Sequence, residues 1–451
     1  MKRLGILLAI SFLLQPAAKA QKMRCMNDEI AHKIILEHPG KAAAIINQQH
    51  SNEIILAHLK DKAVSANKTT AQVTIPVVFH IVVTQSQLNN LGGTAGVALR
   101  VDSQLAVLNR DYNGASLDQA QIPADFQPLY GNPQIHFGLA HRKPDGTGTP
   151  GYEITTITQQ GFSPVSGTAG STLFASDAKY TSAGGADAWD PTKYLNVWVI
   201  NFSTSGLLGI SPPYSFANSI VPLAEIGPAI SYATFGKSGP GQLYFFSGAN
   251  EGRTLVHELG HTFELLHIWG NTSVGSGDCS DDDGISDTPQ QNDANTVCPT
   301  TFRPNCNNTP EGEMYMNFMD YVDDACYKMF TLEQAGVINY QVTDPAGNAY
   351  GLSQHPELLE YPTSVGTLIN ENIVQLYPNP TKDAFDIIVD YKNSMNIIVI
   401  TDVLGRTVKT INIADKQFKT HHVDMNGFNA GVYYVQCIFA NGKLTKKIIL
   451  Q

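Results

Sequence analysis

Apolar and polar positions change their spacing several times along the chain, and each change marks a unit. Residues 21–70 are polar, with apolar groups at helical intervals: Ile30, Ile34 and Ile35, then Ile54, Ile55 and Leu59. They predict a helical segment, closed by the small, polar joint SANKTT at 65–70, the kind of exposed joint that is easily nicked. Residues 73–83 (VTIPVVFHIVV) are dense in β-branched side chains and predict a buried strand. Apolar positions over 97–112 predict a helix, and YLNVWVI at 194–200 a second strand. A third strand is expected over 226–235, where Gly227 and Pro228 argue for a sheet edge. Residues 251–267 predict a helix and 331–341 a shorter one, separated by a stretch rich in Asp, Asn, Gly and Pro.

Beyond these elements the texture changes twice. Residues 346–372 are punctuated by Pro, Gly and Ser and read as a linker. From Ile373 short alternating runs (FDIIVDY, NIIVITDV, GVYYVQCIF, KLTKKIIL) are separated by turn signals, the pattern of a small all-β sandwich. At the other end, Lys2 and Arg3 precede an apolar run from Leu4 to Leu14, then Pro16 and Ala18-Lys19-Ala20. This is the layout of a secretory signal peptide cut after Ala20, and the run is too short to span a bilayer. The expected units are therefore a signal peptide (1–20), a prosegment (21–70), a central domain (71–345), a linker (346–372) and a terminal β-module (373–451).

Composition adds exclusions. The chain carries a formal charge of -11 with no block of Lys and Arg, so nothing provides the basic footprint of a nucleic-acid partner. No later stretch is long and apolar enough to be a transmembrane span. Secretion puts the six cysteines in an oxidising compartment. Cys279, Cys298, Cys306 and Cys326 cluster, and allow three pairings, while Cys25 and Cys437 stand apart.

The chemistry concentrates in His257-Glu258-Leu259-Gly260-His261 followed by His267. Histidines four apart lie on one face of a helix, one turn from each other, so both imidazoles can reach one zinc ion. His267 completes a three-nitrogen site and leaves the fourth position to a water, whose pKa zinc lowers. Glu258, next to the first ligand, can take the water's proton and hand it to a leaving amine. Glu264 sits on the same helical face, further along the axis than both histidines. That fits a tetrahedron poorly, so His267 is the better third ligand.

The segment resembles the metzincin zinc peptidases, whose pattern is HExxHxxGxxH. With NEGRTLVHELGHTFELLHIWG (250–270), CSDDDGISDTP (279–289) and MNFMDYVDDACYKMFTLEQ (316–334) in this order, it resembles more narrowly the pappalysin family and its cytophagalysin-like bacterial members. The resemblance covers residues 73–341 and is strongest after 250. It implies an α+β catalytic domain: a twisted mixed sheet, an active-site helix and an irregular lower subdomain. It implies a zinc-dependent endopeptidase acting on protein or peptide substrates, with Met319 in the turn beneath the metal and Tyr321 stabilising the tetrahedral intermediate. It further implies the disulfides Cys279–Cys306 and Cys298–Cys326. Arginine-preferring relatives carry an acidic residue near the position of Cys326; here Ala325 precedes Cys326 directly, with Asp323 and Asp324 close by, so the sequence leaves the side-chain preference open.

The family places calcium in the region of residues 281–289, which makes Asp283, Asp287 and Thr288 the candidate calcium ligands, since calcium takes hard oxygen donors. By the same resemblance Cys25 is the residue that would occupy the open zinc position and keep a zymogen latent. The family carries Gly, or Asn in some members, where this chain has Glu264. The position turns the chain through left-handed backbone, which costs residues other than Gly about 1–2 kcal/mol. That departure keeps a second class in view: a surface binding or adhesion protein that retains the zinc fold without turnover. A zinc hydrolase of another bond is set aside only by the resemblance.

The module that opens with Leu376-Tyr377-Pro378-Asn379-Pro380 and continues through ITDVLGRTV, NGFNAGVYYVQ and KLTKKIIL resembles the C-terminal sorting domain read by type IX secretion machinery. An Ig-like sandwich and a secreted or surface-attached product are what that resemblance implies.

Overall fold

The computed structural model describes residues 24–63, 72–114, 118–239, 244–270, 279–362, 373–389, 395–403, 405–413, 420–439 and 442–451. The expected signal peptide, the joint at 65–70 and residues 363–372 of the expected linker lie outside them.

In chain order the helices are α1 (Asn27–Glu37), α2 (Ala42–Ala63), α3 (Gln85–Asn90), α4 (Gly93–Asp111), α5 (Arg253–Thr262) and α6 (Leu332–Thr343). The strands of the catalytic unit are β1 (Val73–Thr84), β2 (Tyr130–Gly131), β3 (Ile135–Leu139), β4 (Tyr152–Ile157), β5 (Leu195–Ile200), β6 (Gly209–Ile210), β7 (Ala229–Ser231) and β8 (Phe330–Thr331).

The main sheet runs β3-β1-β5-β7-β6, with β4 continuing along β1 beyond β3. Strand β1 is long enough to pair with β3 over its first half and β4 over its second, both parallel. It reads as an almost unbroken apolar run because it is covered on both faces. Its one imidazole, His80, is satisfied by Glu153 at 2.8 Å and Asn196 at 2.9 Å. Only β6 runs antiparallel, against β7, which makes the sheet mixed.

Two expectations change here. The segment 226–235 was read as an edge strand, yet β7 lies between β5 and β6. Pro228 precedes the strand, so its missing N–H is not asked of the ladder, and its carbonyl accepts from Trp198 at 2.9 Å. The edge belongs to the two-residue β6. The start of the expected linker is likewise packed domain. Residues Tyr350–Gln354 and Pro356–Leu359 form short 3-10 turns. Leu352 joins the main core, and Leu358 packs with Val78, Ala140, Trp189 and Tyr194. Proline and glycine here shape tight turns over apolar side chains.

Helices α1 and α2 are part of the same body. Ile30, Ile34, Ile45, Ile55 and Leu56 are buried in the core cluster of the catalytic unit. The C-terminal unit is all-β. Strands β9 (Val374–Tyr377), β10 (Ala384–Val389) and β13 (Thr420–Asp424) form one antiparallel sheet. Strands β11 (Met395–Asp402), β12 (Thr407–Asn412), β14 (Gly431–Phe439) and β15 (Gly442–Leu450) form the other. Phe385, Ile387, Ile398, Ile400, Val435, Cys437 and Ile448 share its core.

Candidate metal centre

Helix α5 is fixed at both ends before its chemistry is considered. At its start the Asp324 carboxylate accepts from the backbone N–H groups of Glu251 (2.7 Å) and Arg253 (3.3 Å), placing negative charge at the helix N-terminus. Arg253 is buried and donates to Asp111, Asp118 and the Asp324 carbonyl. The helix ends at Thr262 rather than 267. Glu264 takes φ 77°, its N–H donates to the His261 carbonyl (3.0 Å), and the Leu265 N–H donates to the Gly260 carbonyl (2.9 Å). That is a Schellman closure with glutamate where glycine is usual. The Glu264 carboxylate points away from the histidines, accepting from Ser215 N (2.7 Å), Ser215 Oγ (2.6 Å) and Asn348 Nδ2 (3.3 Å). Burial raises its carboxyl to about 7.

The left-handed turn returns the chain so that His267 faces His257 and His261. All three rings are buried. Their Nδ1 atoms are committed to oxygen acceptors: His257 to Phe318 O (2.7 Å), His261 to Leu265 O (2.8 Å) and His267 to Asp28 Oδ1 (2.6 Å). Each neutral imidazole then carries its proton on Nδ1 and a lone pair on Nε2. The three Nε2 atoms stand 3.0, 3.2 and 3.3 Å apart. Three lone pairs so close repel unless a cation lies among them. A tetrahedral zinc with bonds of about 2.0–2.1 Å holds its nitrogens about 3.3 Å apart, so the donor set fits such an ion. Burial also lowers the basicity of all three imidazoles, His267 to about 3, which keeps them in the ligating form.

The Cys25 Sγ lies with the three ring nitrogens in one cluster whose donor atoms are all within 4.8 Å of one another. It is also 3.8 Å from Glu258 Oε2. Glu258 Oε1 is buried without a partner among the described residues, and burial raises this carboxyl well above its usual range. Met319 is fully buried against α5, where a Cβ on Gly260 would come within 2.4 Å of its Sδ. Tyr321 packs edge-on against His267 and donates from its hydroxyl to the Cys25 carbonyl at 3.1 Å.

The backbone around Cys25 meets the β6 edge through one isolated parallel bridge. Cys25 bridges Gly209 of β6, and the Leu208 and Gly209 N–H groups donate to Arg24 O at 3.0 and 3.2 Å. The Arg24 side chain helps to line a small neighbouring hollow, with Leu208, Thr254, His257, Tyr321 and Tyr327. Its guanidinium donates to Val322 O (2.7 Å), Thr296 O (3.3 Å) and the Asp323 carboxylate.

Sequence reasoning did not single out Arg24, Asp28 or Gly209. A Cβ on Gly209 would sit 2.4 Å from Glu258 Oε1, so only glycine lets β6 pass so close to that carboxylate. A two-residue strand leaves no periodic signal, and Asp28 is 239 positions from the ring it contacts.

The four clustered cysteines pair as Cys279–Cys306 and Cys298–Cys326, and Cys437 is a buried thiol in the C-terminal unit. Asp283 and Thr288 meet, the threonine hydroxyl donating to Asp283 Oδ1 at 2.8 Å. Asp287 instead accepts the Glu333 N–H at the start of α6, at 3.0 Å.

Residues 180–342 match the Peptidase_M43 family model, described as pregnancy-associated plasma protein-A. Residues 375–451 match the secretion system C-terminal sorting domain. A promirolysin variant from Tannerella forsythia superposes with a TM-score of 0.61 at 31% identity, covering 74% of this chain and 97% of that one. This chain belongs to the pappalysin family. Mature mirolysin of the same organism, in complex with a cleaved peptide, gives 0.56 at 33% identity, covering 64% and 99%. The extracellular metalloprotease of Pyricularia oryzae is 38% identical over 140 residues, 31% of this chain and 44% of its own length. That of Colletotrichum graminicola is 42% identical over 85 residues, 19% and 28%. The chain thus matches less than half the length of these curated relatives. A metal belongs to a pappalysin site, and the His257, His261 and His267 cluster is where the donors converge. The sorting domain assigns the protein to secretion or the cell surface, and no helix among the described residues is long and apolar enough to cross a membrane.

Proposed function

We propose that this pappalysin is a secreted zinc-dependent endopeptidase, made as a precursor whose own prosegment occupies the cleft. One observation carries the reading. Arg24 and Cys25 lie backbone-paired on the β6 edge, with the cysteine sulfur over three converging imidazoles. An extended peptide is thereby already accommodated, and a substrate pairing on the same edge would present its scissile bond to the same nitrogens.

His257, His261 and His267 would hold the zinc. When bound, it supplies a Lewis acid that polarises the scissile carbonyl and lowers the pKa of a water. Glu258, whose Oε1 has no partner among the described residues, would take that water's proton and deliver it to the leaving amine. The Tyr321 hydroxyl, which here donates to the Cys25 carbonyl, donates to the substrate carbonyl oxygen as charge develops there. The hollow that seats Arg24 against Asp323 would take a basic side chain next to the cleaved bond. Cys25, as thiolate, would fill the open metal position until the prosegment is removed.

Glu264 was the ground for a binding protein without turnover. Its turn is made and its carboxylate is satisfied away from the ligands, which supports the enzyme instead. Asp283, Asp287 and Thr288 remain the proposed structural calcium ligands. Asp283 Oδ2 is buried without a partner among the described residues, which supports a cation there. The two sheets around one core support an Ig-like sandwich read by type IX secretion machinery.

The test is a cleavage map of a mixed peptide library by the processed enzyme and by Asp323→Asn. Cuts beside Arg or Lys that become at least about tenfold weaker in the variant support the reading, since a charge-paired contact is worth about 1.5–3 kcal/mol. An unchanged map would remove the basic-pocket assignment, and no cuts at all would remove the peptidase.

A further inference from the structure

Histidine ligands are held in orientation through the nitrogen that does not face the metal. For His257 and His261 that acceptor comes from the catalytic unit itself, the carbonyls of Phe318 and Leu265. His267 is different. Its Nδ1 donates to Asp28, a prosegment residue in the first turn of α1, and the other Asp28 oxygen accepts from Trp269 Nε1 at 3.1 Å. The buried Asp28 thus spans two side chains of the segment that carries the third ligand. Helix α2 grips the same segment from a second direction. Asn52 Nδ2 donates to Glu264 O (3.2 Å) and Asp283 O (3.4 Å), and Gln48 Nε2 reaches Glu264 O at 3.5 Å.

Asp28 does not compete for the metal position. It meets Nδ1 of His267, whereas Nε2 of the same ring faces His257 and His261. We propose that Asp28 is a positioning residue for the third metal ligand, so that the prosegment holds the metal in the precursor by a route separate from the Cys25 thiol. Processing that removes residues 21–70 takes away the orienting carboxylate of one ligand in three. The precursor is then the form in which the site is loaded and kept. This rests on the three-histidine reading above.

The test measures zinc affinity by competition with a chromophoric chelator. The protein is the full-length chain carrying Cys25→Ala and Glu258→Ala, which removes the thiol ligand and self-cleavage. Asp28→Asn then keeps the volume while exchanging the carboxyl for an amide, and Asp28→Ala removes the acceptor. Loss of such a partner weakens metal binding by about 10–100-fold, so Asp28→Ala should fall in that range and Asp28→Asn near its lower end. Docking of the prosegment is read in parallel as resistance to limited proteolysis. Both variants binding within about twofold of the parent, well below that range, overturn the proposal. So does a loss confined to a variant whose prosegment has come undocked. A His267→Ala control that binds zinc like its parent overturns the three-histidine reading instead.

Discussion

The substitution Glu264→Gln isolates the electrostatic consequence of a glutamate at the turn between His261 and His267. Both residues carry a Cβ, so the penalty of the left-handed backbone cancels between them. Glutamine can also keep the network, its oxygen accepting from Ser215 N and Asn348 Nδ2 and its amide donating to Ser215 Oγ. What differs is the ionised form. Burial lifts the Glu264 carboxyl from 4.5 to about 7. A raised folded-state value means that the fold prefers the protonated acid. Its full stability is present below the unfolded value and is lost as pH rises through the folded one. At about 1.4 kcal/mol per pH unit, the loss across this window is about 3 kcal/mol. Glu264→Gln does not titrate. The two proteins should therefore be similar near pH 5, and the glutamine form more stable by up to about 3 kcal/mol at pH 8. The assay is thermal and denaturant unfolding of both, in a Glu258→Ala background that prevents self-digestion. At about 2–4 °C per kcal/mol for a domain of this size, the gap at pH 8 is about 6–12 °C. A gap that is the same at both pH values, or a wild type that is the more stable at pH 8, refutes the reasoning.

Other consequences are as direct. Gly209→Ala places a methyl group 2.4 Å from Glu258 Oε1, so kcat should fall by about a hundredfold in the folded variant, its fold checked by circular dichroism; a variant with full turnover would sink the close-approach argument. Gly260→Ala drives a methyl group into Met319 Sδ, also at 2.4 Å, and should cost about 1–3 kcal/mol of stability in a melting experiment. Cys25→Ala precursor should hydrolyse a peptide that the intact precursor leaves uncut, with the processed enzymes identical; equal latency of the two precursors would eliminate the thiol as the block.

The parts of this architecture that are legible in sequence are those set by local periodicity. β1 and β5 announce themselves through β-branched density, and α5 through two histidines one turn apart. The left-handed turn at Glu264 follows from the need to bring His267 round, and its φ of 77° is what that turn demands. Less is legible where contacts are remote or elements are very short. β6 has only Gly209 and Ile210, and its value lies in what it approaches rather than in any pattern. Pro228 suggested an edge because proline cannot donate to a ladder, but it stands just outside β7. The turns at 350–359 looked like a linker because their apolar residues, Leu352 and Leu358, are too widely spaced to give a period, although each is buried. Arg24 and Asp28 could not be connected to Asp323 and His267 by spacing at all, since the chain travels through the whole catalytic unit between them.

The central claim is that a metal held by His257, His261 and His267 works with Glu258 to cleave peptides. The direct measurement is cleavage of a denatured protein by the processed enzyme, with and without a zinc chelator, beside Glu258→Ala loaded with the same metal. The account predicts cleavage that the chelator abolishes and added zinc restores, and a Glu258→Ala protein that binds one zinc per chain yet cuts at least about a hundredfold more slowly. Chelator-resistant cleavage, or Glu258→Ala cutting at the wild-type rate, would contradict it.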